Sequence, residues 1–308
     1  MPQIRVPWRS LILLLVISLL LPAASARAQG TAFASLTTPD TSKFPAITTY
    51  LDAFDDQGNF ISNLSLSEVS MLENGEQITP DKLESLVTPL SVVVALNSDP
   101  ALAVRDGFGV SRYDKVLPAL SAWATARPAD STDRLALVWN GGVVASRVSS
   151  SEWKTRLEAF DPALRTSTSS LAALAFALDA AQEADTGPGI KKSILLISPH
   201  LALKDQAGVK DLTTRAKQAG VRVYVWITDS KSFQDNPGAL VLQDLAVETG
   251  GRFAIFTGSE TLPNLEDWFS SLRKVYQLTY TSKIRAGGQH TLSVQVNTAS
   301  VALTSPSV

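Results

Sequence analysis

A chain of 308 residues, 45% apolar and 18% charged, has room for one large domain or two modest ones and is too apolar to be disordered. Its net charge is −2, and Arg5, Arg9 and Arg27 all fall in the first 28 residues; the mildly acidic, cluster-free remainder excludes a nucleic-acid or anionic-membrane surface. Cysteine is absent, which excludes disulfides, a thiol nucleophile and a thiolate metal site.

The first element is an address. Arg5 and Arg9 precede Leu11–Leu21, apolar except for Ser18 and too short to span a bilayer comfortably; Pro22 breaks it, and Ala26-Arg27-Ala28 has the small-x-small cleavage pattern. Residues 1–28 therefore predict a signal peptide and export to an extracellular, periplasmic or cell-surface location, with an uncleaved anchor as the alternative. No later segment is long and apolar enough to span a membrane, so the mature chain is expected to carry no membrane span. Residues 29–44, rich in Thr, Ser and Ala, read as a flexible leader. Over 45–89 the text is β: Ile47, Thr49, Leu51 and Ala53 share one face, and Glu73-Asn74-Gly75-Glu76 is a hairpin signal.

From Leu90 strands and helices alternate. The run Ser91–Leu96 (SVVVAL) predicts a strand buried on both faces, ending at once in Asn97-Ser98-Asp99-Pro100-Ala101. A helix is expected at Tyr113–Ala126, strands at Arg134–Trp139 and Val143–Arg147 around the turn Asn140-Gly141-Gly142, and helices at Ser151–Phe160 and Ser169–Ala184. Strand Ser193–Ser198, helix Val209–Ala219, strand Val221–Ile227, helix Ala239–Thr249, strand Phe253–Phe256 and helix Leu265–Tyr276 follow, with Gly220 and Gly250 just past helix ends. Beyond it Tyr276, Leu278 and Tyr280 alternate, as do His290, Leu292, Val294 and Val296. The expected fold is α/β: a doubly wound, mostly parallel sheet over 90–276, with a small β-sandwich built from 45–89 and 277–300 within a C-terminal flank and tail of 277–308.

This order of elements resembles a von Willebrand factor type A (VWFA) domain, whose first strand ends in Asp-x-Ser-x-Ser, with a Thr before the middle helix and an Asp after the fourth strand. The resemblance covers about Leu90–Tyr276 and implies a Rossmann-like fold and an edge at which a divalent cation is held and a partner's carboxylate received. Laid on that pattern, Asn97 stands at the first Asp, Asp99 at the first Ser, Ala101 at the second Ser, Thr168 at the Thr, with Thr166 and Ser169 as alternatives, and Pro199 at the last Asp. Two carboxylates and a hydroxyl of the pattern are therefore gone. Asp99 is the one carboxylate left at these positions, so the resemblance implies a degenerate metal-ion-dependent adhesion site; if an ion binds, Asn97, Asp99 and Thr168 hold Mg²⁺ or Ca²⁺. The bland alternative is that Asn97 and Asp99 only cap a helix or close a turn.

Other candidates are weaker. Gly187–Ser193 lacks the G-x-x-x-x-G-K-S/T spacing and precedes a strand rather than following one, and no Ser/His/acid set or H-E-x-x-H occurs. The sequence thus predicts a non-enzymatic, exported binding or adhesion protein with no cofactor. It would contact a protein or cell-surface component through loops Asn97–Arg112, Ser167–Ser170 and His200–Gln206, with Asp99, Arg112, Tyr113, Thr168 and His200 as contact residues. The alternatives are a metal-dependent adhesion module using Asp99, and an α/β enzyme whose site lies at the same strand tips.

Overall fold

The computed structural model describes residues 32–128, 130–183 and 187–308; the signal-peptide reading of residues 1–28 lies outside them. At the centre is β6 (Ser91–Leu96), buried along its whole length because apolar residues face helices on both sides. Burying each such Val or Leu side chain is worth about 1.5–3 kcal/mol. It pairs in parallel with β7 (Arg134–Trp139) on one side and β9 (Lys192–Ser198) on the other. Outward from β9 lie β10 (Val221–Thr228) and β11 (Phe253–Phe256), also parallel. The other edge is β8 (Gly142–Val148), antiparallel to β7 across the Asn140-Gly141 turn. The six-strand order is β11-β10-β9-β6-β7-β8, the mostly parallel sheet the sequence predicts.

One face of this sheet is covered by α1 (Arg112–Thr125), α2 (Ser150–Ala159) and the short α6 (Leu265–Phe269), through Leu120, Trp123, Trp153 and Phe269. The other face carries α3 (Ala172–Glu183), α4 (Leu203–Gln218) and α5 (Pro237–Glu248), through Leu174, Leu178, Val209, Leu242 and Leu245. Alternate residues of β6 divide between the two cores: Val92, Val94 and Leu96 join the first, Val93 and Ala95 the second.

The first core continues into two antiparallel sheets of four strands. One is β1 (Phe33–Leu36), β2 (Ala46–Phe54), β12 (Lys274–Thr281) and β5 (Lys82–Val87), in that order; the other is β14 (Ala302–Thr304), β13 (Leu292–Asn297), β3 (Val69–Glu73) and β4 (Glu76–Ile78). They share one apolar core around Leu51, Met71, Leu278 and Val294, and Tyr280 Oη in one sheet donates to Glu73 Oε1 in the other at 2.8 Å. The β3–β4 turn has Asn74 and Gly75 both at positive φ, as a two-residue hairpin with an Asn-Gly loop requires.

Three elements differ from the sequence reading: the helix expected at Val209–Ala219 already begins at Leu203, so the expected loop His200–Gln206 is helical from Leu203 on, and two further differences lie in the β flanks. The expected loose leader contains β1, whose Phe33 stacks on Phe54 at 5.4 Å and whose backbone pairs with β2. The expected helix Leu265–Tyr276 stops at Phe269; a single 3₁₀ turn leads to Arg273, and β12 begins at Lys274. Trp268, Phe269, Leu272, Val275 and Tyr276 keep helical spacing, but the following Tyr-Gln-Leu-Thr-Tyr-Thr favours a strand. Tyr276 sits opposite Leu51 on one side and Ser85 on the other, so β12 fills the middle of its sheet.

The two halves are tied at the foot of β6. Asp133 is buried at 1% exposure; its Oδ1 accepts from Leu90 N at 2.8 Å and Arg273 Nη1 at 2.9 Å, and its Oδ2 from Arg273 Nη2 at 2.6 Å. Arg127 lies 3.8 Å from the same carboxylate and pairs with Glu266, which also meets Arg273 Nε at 3.3 Å. Burial alone would raise the Asp133 pKa, but the Arg273 guanidinium and the Leu90 N–H together hold it below its ordinary value.

Candidate functional site: the strand-tip face

The loops after β6, β9 and β10 emerge at one edge of the sheet, joined there by the segment 160–170 that precedes α3. Asn97 continues the line of β6 and is 1% exposed. Its Nδ2 donates to Ser198 Oγ at 2.8 Å, and its Oδ1 accepts from Ser170 N at 3.0 Å. Ser198 in turn donates to Pro199 O at 2.8 Å. Asp99 caps a 3₁₀ turn at Pro100–Ala103: Oδ1 accepts from Ala101 N at 2.9 Å and Oδ2 from Ser169 N at 3.1 Å. Thr168 contributes its carbonyl, which accepts from Asn140 Nδ2 at 2.8 Å. Asn140 also accepts from Ser98 N at 2.6 Å and donates to Ser98 O at 2.9 Å. Its side chain thus pairs with the Ser98 peptide just beyond the last register pair, Leu96 with Trp139.

A divalent cation needs several oxygen donors and compensating carboxylates. Asp99, the single carboxylate at the matched positions, already accepts two backbone N–H groups, the Asn97 oxygen accepts a third, and Pro199 and Ala101 bring no side-chain donor. This donor set does not fit such an ion. No group of three or more His, Asp or Glu side chains placed to hold a metal occurs among the described residues.

Arg112 and Tyr113, expected as outward anchors at the mouth of the first helix, both point inward. Arg112 is 6% exposed; Nη1 donates to Ala101 O at 2.6 Å, Nε to Thr257 O at 2.9 Å and Nη2 to Ser230 Oγ at 3.0 Å. Burial lowers the guanidinium pKa, and the charges of Asp229 and Glu260 oppose that shift. The Tyr113 hydroxyl is buried without a hydrogen-bond partner. Burial, reinforced by Asp161 and Asp114, pushes its pKa up to about 12. The helical phase explains both: Tyr113, Val116, Leu120 and Trp123 form the buried stripe of α1, and Arg112 at the first turn faces the neighbouring loops.

His200 lies just beyond the tip of β9, the fourth strand of the central sheet in chain order. Asp229 Oδ2 accepts from His200 N at 3.0 Å and meets the ring Nδ1 at 2.5 Å, while Asp229 Oδ1 accepts from Ser230 N at 2.7 Å. The ring stacks on Phe233 at 4.2 Å. Ser230 Oγ accepts from Arg112 Nη2, while the His200 ring is paired with Asp229 Oδ2. The backbone of this loop is pressed against α5: a Cβ on Gly238 would come within 2.0 Å of Leu201 O.

Several large apolar side chains face outward among the polar ones of these loops. Phe108 is 94% exposed at the head of the loop that joins β6 to α1, flanked by the exposed Val104 and Val110. Asp106 closes that loop, accepting from Phe108 N at 2.9 Å and Val110 N at 3.0 Å and pairing with Lys115 at 2.7 Å. Those bonds hold the Asp106 pKa below its ordinary value, the Lys115 contact most of all. Across the edge, Leu203 is 81% exposed, and Phe233 is partly exposed beside His200.

Strand order, helices on both faces and loops gathered at one edge define a doubly wound, mostly parallel α/β unit, consistent with the fold that the resemblance to a von Willebrand factor type A domain implies. No protein-family model and no curated protein matches the chain. Several solved structures are similar. An aerotolerance-related membrane protein from Bacteroides fragilis NCTC 9343 shares 17% identity, with 59% of this chain and 98% of that one covered at a TM-score of 0.43. BatB, a conserved hypothetical protein from Bacteroides thetaiotaomicron, shares 16%, covering 60% and 96% at 0.43. The SpRpn10 VWA domain shares 12%, covering 58% and 93% at 0.44. Among the described residues no helix is long and apolar enough to cross a membrane.

Proposed function

We propose that this chain is an exported, non-enzymatic binding protein that docks a protein or cell-surface partner on its strand-tip face without a metal ion. The observation that carries this reading is Phe108: a large aromatic side chain, almost fully exposed, held on a loop whose turn is closed by a carboxylate and an ion pair. A rigid exposed aromatic loses little conformational entropy on association and suits the centre of a binding patch. Leu203 and Phe233 extend the apolar surface on the other side of the edge.

The test compares immobilised wild-type protein with Phe108→Ser/Leu203→Ser and with Leu66→Ser, a control on an exposed apolar residue outside the edge. Proteins of the exported fraction should be retained by wild type and Leu66→Ser in the presence of EDTA, and lost from the double variant. Equal retention by all three proteins would refute the docking reading; retention that requires Mg²⁺ or Ca²⁺ would favour the metal-dependent alternative.

A further inference from the structure

The strand tip is crossed by three pieces of chain: the loop 97–101, the turn at 140, and the segment 168–170. The loop and the segment bring backbone groups for which helices and ladder supply few partners, Ser98 N sharing its hydrogen with Leu96 O, and the turn brings the Asn140 side chain; the groups around Asn97 and Ser98 are buried, so leaving them unpaired would be costly. Three side chains satisfy them. Asp99 receives the N–H groups of Ala101 and Ser169, Asn97 the N–H of Ser170, and Asn140 pairs with both polar groups of the Ser98 peptide and with the Thr168 carbonyl. We propose that Asn97, Asp99 and Asn140 form a built-in latch that holds segment 168–170 against the end of β6, doing with hydrogen bonds what a bound cation would otherwise do at this edge. The inference rests on the metal-free reading above and assigns the three as positioning residues for the docking face.

The residue types fit the latch and would not fit its isosteres. Asn97 must donate and accept at once, since its Nδ2 supplies Ser198 Oγ, which hands its own proton on to Pro199 O. An aspartate there would lose the donor to Ser198 and place a second carboxylate near Asp99 at a position that is itself 1% exposed. Asp99 must only accept: both its oxygens face N–H groups, and an asparagine amide would set N–H against N–H. Asn140 must do both, because the backbone of residue Ser98 presents it with one N–H donor and one C=O acceptor. An ion cradle would ask for the reverse, a carboxylate at 97.

The experiment is amide hydrogen exchange read by NMR on the full chain, with Ser98, Ser169 and Ser170 as reporters and Val94 in β6 as the fold control. In wild type all three reporters should be protected, to the same degree in EDTA and in millimolar Mg²⁺ or Ca²⁺. Asp99→Asn should speed exchange at Ser169 and Asn97→Ala at Ser170, each by roughly tenfold or more, and Asn140→Ala should speed Ser98 by less because the Leu96 carbonyl remains as a second acceptor, with Val94 unchanged. The latch is overturned if the wild-type reporters exchange freely, if their protection arises only with cation, or if Asp99→Asn and Asn97→Ala leave it unaltered. The wild-type measurement decides even if a variant fails to fold. Free exchange with Phe108-dependent docking intact would remove the latch alone, and a protected edge with docking indifferent to Phe108 would remove the function alone.

Discussion

Replacing Asp133 by alanine should be among the most damaging single changes in this protein. The carboxylate is desolvated and makes three hydrogen bonds, two to Arg273 and one to the Leu90 N–H that enters the central strand. Its removal leaves Arg273 and the nearly buried Arg127 sharing Glu266 alone, which is one-third exposed. Removing one partner of a buried ion pair costs about 3–5 kcal/mol, a large part of the roughly 5–15 kcal/mol that stabilises a typical domain. Urea unfolding at neutral pH should therefore show a loss of that order. The pH dependence has a definite sign. The folded pKa of Asp133 lies below the unfolded one, so its contribution is fully present above the unfolded value, about 3.9, and is lost as pH falls through the folded value. Wild-type stability should decline below about pH 4, and Asp133→Ala should lack that share of the decline. A loss under about 1 kcal/mol at neutral pH, or an acid limb identical in both proteins, would show that the junction is not held this way.

Further outcomes follow from the strand-tip face. Arg112→Met should cost about 2–4 kcal/mol in urea unfolding, because it strands the carbonyls of Ala101 and Thr257; a neutral result would mean the clamp is ornamental. Tyr113→Phe should be neutral or slightly stabilising, since the hydroxyl it removes is buried and unpartnered. In wild type the raised pKa of Tyr113 makes stability decline as pH rises from about 10 towards 12, a decline that the phenylalanine variant should lack. Export with cleavage should leave Gln29 as the first residue of the mature chain, which intact mass and N-terminal sequencing read directly; a start at Met1 would favour the anchor.

How much of this was legible follows from where each signal resides. The run Ser91–Leu96 betrays a strand covered on both faces because its apolar residues do not alternate, and the stripe Val116, Leu120, Trp123 gives α1 its buried side. The role of Asn140 does not show. Asn-Gly-Gly reads as a turn, and so it is; that the asparagine also reaches the Ser98 peptide depends on the parallel register of β6 and β7, a relation between distant segments. Strand β1 was hidden for a similar reason, since Phe33–Leu36 is ordered by its antiparallel partner β2 rather than by its own composition. Arg112 was misjudged because a charged residue at a helix mouth normally faces water; here three acceptors from separate loops surround it.

The most direct measurement is thermal melting of the purified protein in EDTA and in millimolar Mg²⁺ or Ca²⁺, for wild type and Asp99→Ala. A ligand that binds only the folded state raises the melting temperature in proportion to RT ln(1 + [L]/Kd). With the strand tip closed by its own side chains, the wild-type curves should coincide in all three conditions, while Asp99→Ala should melt lower by the same amount in each. A cation-induced rise in wild type that disappears in Asp99→Ala would contradict a metal-free edge.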